Sequence, residues 1–238
     1  MSGQSSPLRV LVIPPRSQHT ATVVFCHGLG GSGYRASSVS EILASDPSLA
    51  HVKWILPFAP SAVTGPRGAN ISAWFNFRSL RPTSRDDEDG VFSSAQKLVE
   101  LINGEAQISG IPESRIILGG ISQGGITSLV TGLITDLKLG GIFVLSGLLI
   151  MPFRILSMVS PHVQALPIFW AHGTADPLIP FEKGFNSAQF LISRIGIPQT
   201  SLESGSTGLC FNSYDGLAHG VNEAELRDLR TWLKKVIA

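Results

Sequence analysis

Arg115-Ile116-Ile117-Leu118-Gly119-Gly120-Ile121-Ser122-Gln123-Gly124-Gly125 is the stretch from which the fold can be read. Its apolar opening suits a buried strand, and Gly125-Ile126-Thr127-Ser128-Leu129-Val130 suits a helix. Between the two lies Gly-x-Ser-x-Gly, which puts Ser122 on a sharp turn with its hydroxyl pointing outward, where a nucleophile would stand. Such a turn brings strand and helix so close that the residues two positions either side of the serine must lack side chains. Gly120 and Gly124 meet that need. The motif is short enough to arise by chance in a chain rich in Gly and Ser, so a base, an acid and an oxyanion hole must come from elsewhere.

Upstream, Ala21-Thr22-Val23-Val24-Phe25-Cys26 reads as a strand covered on both faces. It runs into His27-Gly28-Leu29-Gly30-Gly31-Ser32-Gly33. A glycine-rich turn after a strand can cradle phosphate, but Gly-Lys-Ser/Thr is absent and the dinucleotide-binding spacing does not fit. The better reading is a loop whose amides face the site. It assigns the oxyanion donors to the Leu29 and Gln123 N–H groups. His27 reads as holding the shape of this loop rather than joining the chemistry.

Downstream, Pro167-Ile168-Phe169-Trp170-Ala171 is a strand that leads into His172-Gly173-Thr174-Ala175-Asp176-Pro177. His219 is the only histidine beyond Asp176, and it stands just before the last helix. Either residue alone would be an ordinary turn or surface residue. Together they complete the chain order Ser–Asp–His of the α/β-hydrolases. The expected chemistry has His219 take the Ser122 proton while Asp176 fixes the imidazole tautomer and stabilises the imidazolium. Neither metal nor organic cofactor is required.

The remaining elements fit that architecture. Leu8 to Ile13 reads as an edge strand, Ser37 to Ala44 as a short helix and Val52 to Leu56 as a strand. Val91 to Ile108 and Phe181 to Ile195 read as helices, and Gly141 to Gly147 as a buried strand. Asn222 with Glu225 three residues on signals the start of a last helix, with Leu226, Leu229, Leu233 and Val236 as its buried stripe. Strands alternating with helices imply a mostly parallel sheet with helices on both faces, which with the Ser–Asp–His order gives an α/β-hydrolase fold in a single domain spanning 1–238. Residues 1–7 read as a loose tail. Ser61 to Arg85 reads as a long loop, and its Trp74-Phe75-Asn76-Phe77 either packs in the core or lines an apolar substrate groove. Trp74, Phe75, Leu148 and Leu178 are the substrate-binding candidates.

With 238 residues, 43% hydrophobic residues and a net charge of +1, the chain has ample core and no electrostatic footprint for nucleic acid. The charge cluster Arg85 to Asp89 reads as a solvated loop before a helix. Cys26 falls in a strand pattern and Cys210 in a presumed surface loop, which gives neither a disulfide framework nor a metal site. The N-terminus lacks an apolar signal region, and Leu129 to Met151 reads as helix end, turn and strand rather than a membrane span. A cytoplasmic protein is expected.

His27-Gly28-Leu29-Gly30, Ser72-Ala73-Trp74-Phe75, Gly119 to Gly125, Leu145-Ser146-Gly147, His172 to Asp176 and Gly216-Leu217-Ala218-His219 together resemble the acyl-protein thioesterase/lysophospholipase family. The resemblance runs from about Thr22 to the C-terminus. It implies a hydrolase with little or no lid, one that removes S-acyl chains, chiefly palmitoyl, from cytoplasmic proteins. It also implies hydrolysis of lysophospholipids and simple esters, an apolar acyl channel and transient contact with a membrane surface. The chain departs from the family pattern at Asn76 and Gly31, where aspartate is usual, and at Ala218, where glycine is common. The segment Glu203 to Ser213 also looks longer than the family's. These departures border the substrate path and bear on palmitoyl-protein substrates more than on hydrolysis itself. The competing readings are a short-chain carboxylesterase and a non-catalytic binding protein on the same fold.

Overall fold

The computed structural model describes residues 6–64, 70–76 and 87–238. In chain order its strands are β1 (Val10–Ile13), β2 (Ala21–Cys26), β3 (Val52–Pro57), β4 (Ser61–Thr64), β5 (Asn70–Ala73), β6 (Ile116–Ile121), β7 (Gly141–Leu145), β8 (Pro167–Gly173), β9 (Gln199–Thr200) and β10 (Gly208–Tyr214). The helices are α1 (Gly33–Ala44), α2 (Glu88–Ser109), α3 (Gln123–Ile134), α4 (Pro152–Leu156), α5 (Phe181–Phe190) and α6 (Glu223–Val236).

Eight strands form one sheet in the order β1-β3-β2-β6-β7-β8-β10-β9. All neighbours are parallel except β1 with β3. A parallel strand buried on both faces has no use for polar alternation, and β2 and β7 are buried at every position. Their side chains enter two different cores. Val24 and Cys26 of β2 join Leu98 of α2 and Leu129 of α3. Val23 and Phe25 join Leu43 of α1 and Leu229 of α6 on the other face. Helices therefore cover both faces, and every β→α turn of the parallel strands opens at one end of the sheet, where an α/β site belongs.

Several local expectations change. The long loop from Ser61 to Arg85 contains an antiparallel hairpin, β4 with β5; Phe77, Arg85 and Asp86 lie outside the described residues, as do residues 1–5 of the expected tail. Asp87 is less a solvated loop residue than the cap of α2, accepting the Gly90 N–H at 3.0 Å. The helix from Phe181 relaxes into a π-helical turn, Leu191–Ile195, ended by Gly196 at φ +83°. The expected strand Gly141 to Gly147 stops at Leu145, because Ser146 turns to φ +49°. The segment Glu203 to Ser213 is not all loop, because Gly208–Tyr214 pairs residue for residue with β8. Cys210 is accordingly buried rather than at the surface, and both cysteines are unpaired. Trp232 takes a place in the buried stripe of α6, while Val236 is only partly buried.

Asn222 caps α6 by accepting the Glu225 N–H at 2.9 Å. The Glu225 side chain turns back toward the Asn222 N–H, which acts to lower its pKa, without reaching hydrogen-bond geometry. Its carboxyl is buried with neither oxygen hydrogen-bonded among the described residues, and burial pushes its pKa up to about 8. No described helix is long and apolar enough to cross a membrane.

Candidate active site

Ser122 sits between β6 and α3 with φ +55° and ψ −123°, a conformation that a non-glycine residue adopts only when its surroundings hold it. Those surroundings are visible on both sides. The Ser122 N–H donates to Leu145 O at 2.8 Å, and Ser122 O accepts the first bond of α3 from Ile126 N at 2.9 Å. A Cβ on Gly120 would lie 2.5 Å from Cys26 O, and one on Gly124 would collide with that same carbonyl. The glycines are there for backbone contact. Gly28 completes the arrangement, since its own Cβ would come within 3.2 Å of Ser122 Cβ.

The loop after β2 is held by its histidine. His27 Nδ1–H donates to Gly28 O at 2.7 Å, and Nε2 accepts the Ala59 N–H at 3.1 Å. Burial lowers the His27 pKa, so the ring is neutral, as this pair of bonds requires. Gly31, where an aspartate was expected from the resemblance, is packed tightly: a Cβ would stand 2.9 Å from Gly28 O and 3.0 Å from His27 Nδ1. Among the described residues, no acceptor engages the N–H of Leu29 or of Gln123. Both residues border the same cleft as Ser122.

Asp176 lies in the turn after β8, its side chain fully buried. Its Oδ1 accepts the N–H groups of Leu178 at 2.8 Å and Ile179 at 2.9 Å. Its Oδ2 lies 2.7 Å from His219 Nδ1. The turn carrying Asp176 and the loop carrying His219 are sewn together: Thr174 N–H donates to Tyr214 O at 2.9 Å, Ala175 N–H to Leu217 O at 3.1 Å, and Gly216 N–H to Thr174 Oγ1 at 2.9 Å. With Nδ1 taken by Asp176, His219 lines the cleft that Ser122 also borders. Ser122 and His219 both border the cleft but are not hydrogen-bonded to each other in this structure.

The cleft has a volume of about 530 Å³. Beyond the polar groups it is walled by Phe25, Ala36, Val39, Ile121, Ile126 and Ile179. Exposed Leu29 and Leu178 stand at its edge, and Arg35 adds a cation. Of the four substrate-binding candidates only Leu178 borders it. Trp74 and Phe75 are core residues instead, Trp74 at 0% and Phe75 at 1% exposure, and Leu148 is buried beside them in the same core. Their burial has a polar reason that sequence reading missed. The Gln123 side chain accepts the Trp74 N–H at 2.9 Å and donates to Phe75 O at 2.7 Å, while Trp74 Nε1–H donates to His27 O at 2.8 Å. Gln123 thus ties the segment after β5 to the elbow, and Trp74 ties it to the β2 loop. The Asn76 departure leaves its backbone N–H donating to Asp87 Oδ2 at 2.8 Å. Among the described residues, no group of three or more His, Cys, Asp or Glu side chains is placed to hold a metal ion.

The sequence pattern of the phospholipase/carboxylesterase family matches residues 9–237. The chain belongs to that family. A curated relative from Cryptococcus neoformans, named acyl-protein thioesterase 1, is 40% identical over 97% of this chain and 98% of its own length. Another of the same name from Mycosarcoma maydis is 37% identical over 98% of both chains. The crystal structure of acyl-protein thioesterase 2 from Zea mays superposes with a TM-score of 0.81 at 27% identity, covering 97% of this chain and 99% of that one. Like its phospholipase/carboxylesterase relatives, this chain is a hydrolase on an α/β-hydrolase fold.

Proposed function

We propose that the protein is an acyl-protein thioesterase that uses Ser122 as nucleophile, His219 as general base and acid, and Asp176 as the group that orients and balances His219. The observation that carries this reading is the convergence of a strained, outward-facing serine and a carboxylate-held imidazole on one apolar cleft. The names of the relatives support the substrate class. S-acylated, chiefly palmitoylated, proteins of the cytoplasm are the substrates we infer, with lysophospholipids and simple esters as further ones. The two unpaired, buried cysteines fit a reducing compartment.

In this mechanism His219 takes the Ser122 proton as Oγ bonds to the acyl carbon and the carbonyl becomes an oxyanion. The Leu29 and Gln123 N–H groups donate to that oxyanion, each such donor being worth roughly 10²–10³ in rate. Collapse breaks the C–S bond, and the departing thiolate takes the proton from His219. Water, deprotonated by His219, then attacks the acyl-enzyme, Ser122 regains its proton and the fatty acid leaves. The apolar walls receive the tail, and tail burial realised in the transition state raises turnover as well as affinity.

The test is kcat/KM against acyl-chain length, from acetyl to palmitoyl thioesters, with Ser122→Ala as control. The expected result is a rise toward long chains, and loss of both turnover and fluorophosphonate labelling in Ser122→Ala. A maximum at short chains would turn the reading into a short-chain carboxylesterase. Persistent turnover in Ser122→Ala would remove the nucleophile assignment.

A further inference from the structure

Asp176 Oδ2 faces two imidazoles, and the mechanism above uses one of them. The second is His172, at the end of β8, with a side chain that is fully buried and an Nε2 that lies 3.6 Å from Asp176 Oδ2. The same nitrogen is 2.9 Å from Ile179 O. Ile179 is therefore gripped at both ends of its peptide: Asp176 Oδ1 takes its N–H, and His172 takes its C=O. We propose that His172 is a positioning residue for the hydrolysis, its Nε2–H fixing the turn whose amides aim the Asp176 carboxylate at His219. The inference rests on the reading of Asp176 as the acid of the triad.

The surroundings are built for this ring and this tautomer. Phe181 meets it edge-on at 6.1 Å between centroids, and a Cβ on Gly184 of α5 would collide with Nδ1. Nδ1 is buried without a hydrogen-bond partner among the described residues. A side chain needed only to fill space would leave no polar atom stranded there. With carbonyl and carboxylate oxygens at Nε2 and nothing at Nδ1, the proton belongs on Nε2. Burial lowers the His172 pKa, and Asp176 and His219 are the titratable groups that act on the ring. A neutral His172 supplies a dipole to the turn without adding a second positive charge beside His219. A protonated one would compete with His219 for the same oxygen.

The test compares kcat, KM and the pH profile of kcat/KM for p-nitrophenyl octanoate hydrolysis in four variants, with Tm followed throughout. Glutamine carries an N–H at the reach of histidine Nε2, whereas leucine carries none. His172→Leu is expected to lower kcat at least tenfold with KM within twofold. The acidic limb of its profile moves to lower pH, because a misaligned carboxylate stabilises the imidazolium less. His172→Gln recovers most of the rate and the limb. Gly184→Ala displaces the ring from a helix outside the cleft and falls between them. A His172→Leu enzyme with unchanged kcat and limb, or a His172→Gln enzyme as impaired as His172→Leu, overturns the proposal. If His172→Leu does not fold, a folded Gly184→Ala enzyme with unchanged kcat and limb overturns it, and one with lowered kcat beside a near-normal His172→Gln supports it. Asp176→Asn, run in parallel, separates the levels. Near-normal turnover there removes the underlying reading, and with it this proposal, whereas a crippled Asp176→Asn beside a normal His172→Leu removes this proposal alone.

Discussion

Asp176, in the turn after β8, and Glu105, on α2 beside the amino ends of β2 and β3, are buried carboxylates at opposite ends of one sheet. Each has a histidine within reach, and their other partners differ in kind. Glu105 accepts the Thr22 hydroxyl at 2.9 Å and pairs with Lys53 Nζ at 2.7 Å, with His19 Nε2 at 3.8 Å. Asp176 is held by two backbone amides and two imidazoles. A carboxylate already balanced by a permanent cation gains little from a proton arriving nearby. One held by fixed dipoles keeps its charge available for an imidazole that becomes positive during a reaction. On the proposed mechanism the sheet thus carries one charge that ties elements together and one that is kept in reserve for chemistry.

The largest effect expected from this contrast is on turnover. Asp176→Asn keeps an oxygen for the Leu178 and Ile179 amides but loses the charge and offers His219 the wrong tautomer. It should lower kcat by up to about 10⁴ with Tm close to the parent's. Steady-state kinetics beside a melting curve checks both halves. Turnover within tenfold of the parent would mean that Asp176, like Glu105, only ties loops together.

A third buried carboxylate tests what happens when, among the described residues, no cation or imidazole pairs with it and only the Asn222 N–H acts to lower its pKa. Glu225 of α6 has neither oxygen hydrogen-bonded among the described residues, and its pKa is pushed up to about 8 from the ordinary 4.5. Between those two pH values the folded protein holds a proton that the unfolded chain has released. Stability therefore falls as pH rises through this window, by up to about 1.4 kcal/mol per unit. Glu225→Gln cannot ionise, so its Tm should decline less than the parent's from pH 5 to pH 8. Parallel declines would mean that Glu225 has found a partner in solution and belongs with the satisfied pair.

Much of the active end could be read from the chain because its constraints are local. Gly120, Ser122 and Gly124 lie within five residues, and the need for the two glycines follows from the close approach of Cys26 O. Asp176 and His219 were legible from chain order, since each follows a strand at the same end of the sheet. The misread parts depend on partners distant in sequence. β10 contains only Leu209-Cys210-Phe211 as an apolar core, and what makes Gly208–Tyr214 a strand is the slot beside β8. Trp74 and Phe75 suit a groove as well as a core, and only the Gln123 side chain, 49 and 48 residues away, decides it by binding their backbone. His172 stood four residues before Asp176 in plain view. Its spacing gave no sign that Ile179 O and Gly184 would define its tautomer.

The smallest effect, and the one that sharpens the comparison most, belongs to Glu105. Glu105→Gln leaves Lys53 without its countercharge and should cost about 1–3 kcal/mol of stability, at the lower end because Lys53 is 22% exposed and water can replace part of the pair. Turnover and its pH profile should not change, since nothing at the amino end of the sheet touches the cleft. The double variant Glu105→Gln with Lys53→Met then asks whether the loss comes from the pair or from packing. If the cost is the stranded cation, removing it recovers part of the Tm that the single variant lost. If the double variant melts no higher than Glu105→Gln, the Thr22 contact rather than the ion pair holds α2 to β2. Glu105 would then resemble Asp176 in being held by neutral donors, and the difference between the two carboxylates would lie in their imidazoles: His219 hydrogen-bonded to Asp176 at 2.7 Å with His172 at 3.6 Å, against His19 standing off from Glu105 at 3.8 Å.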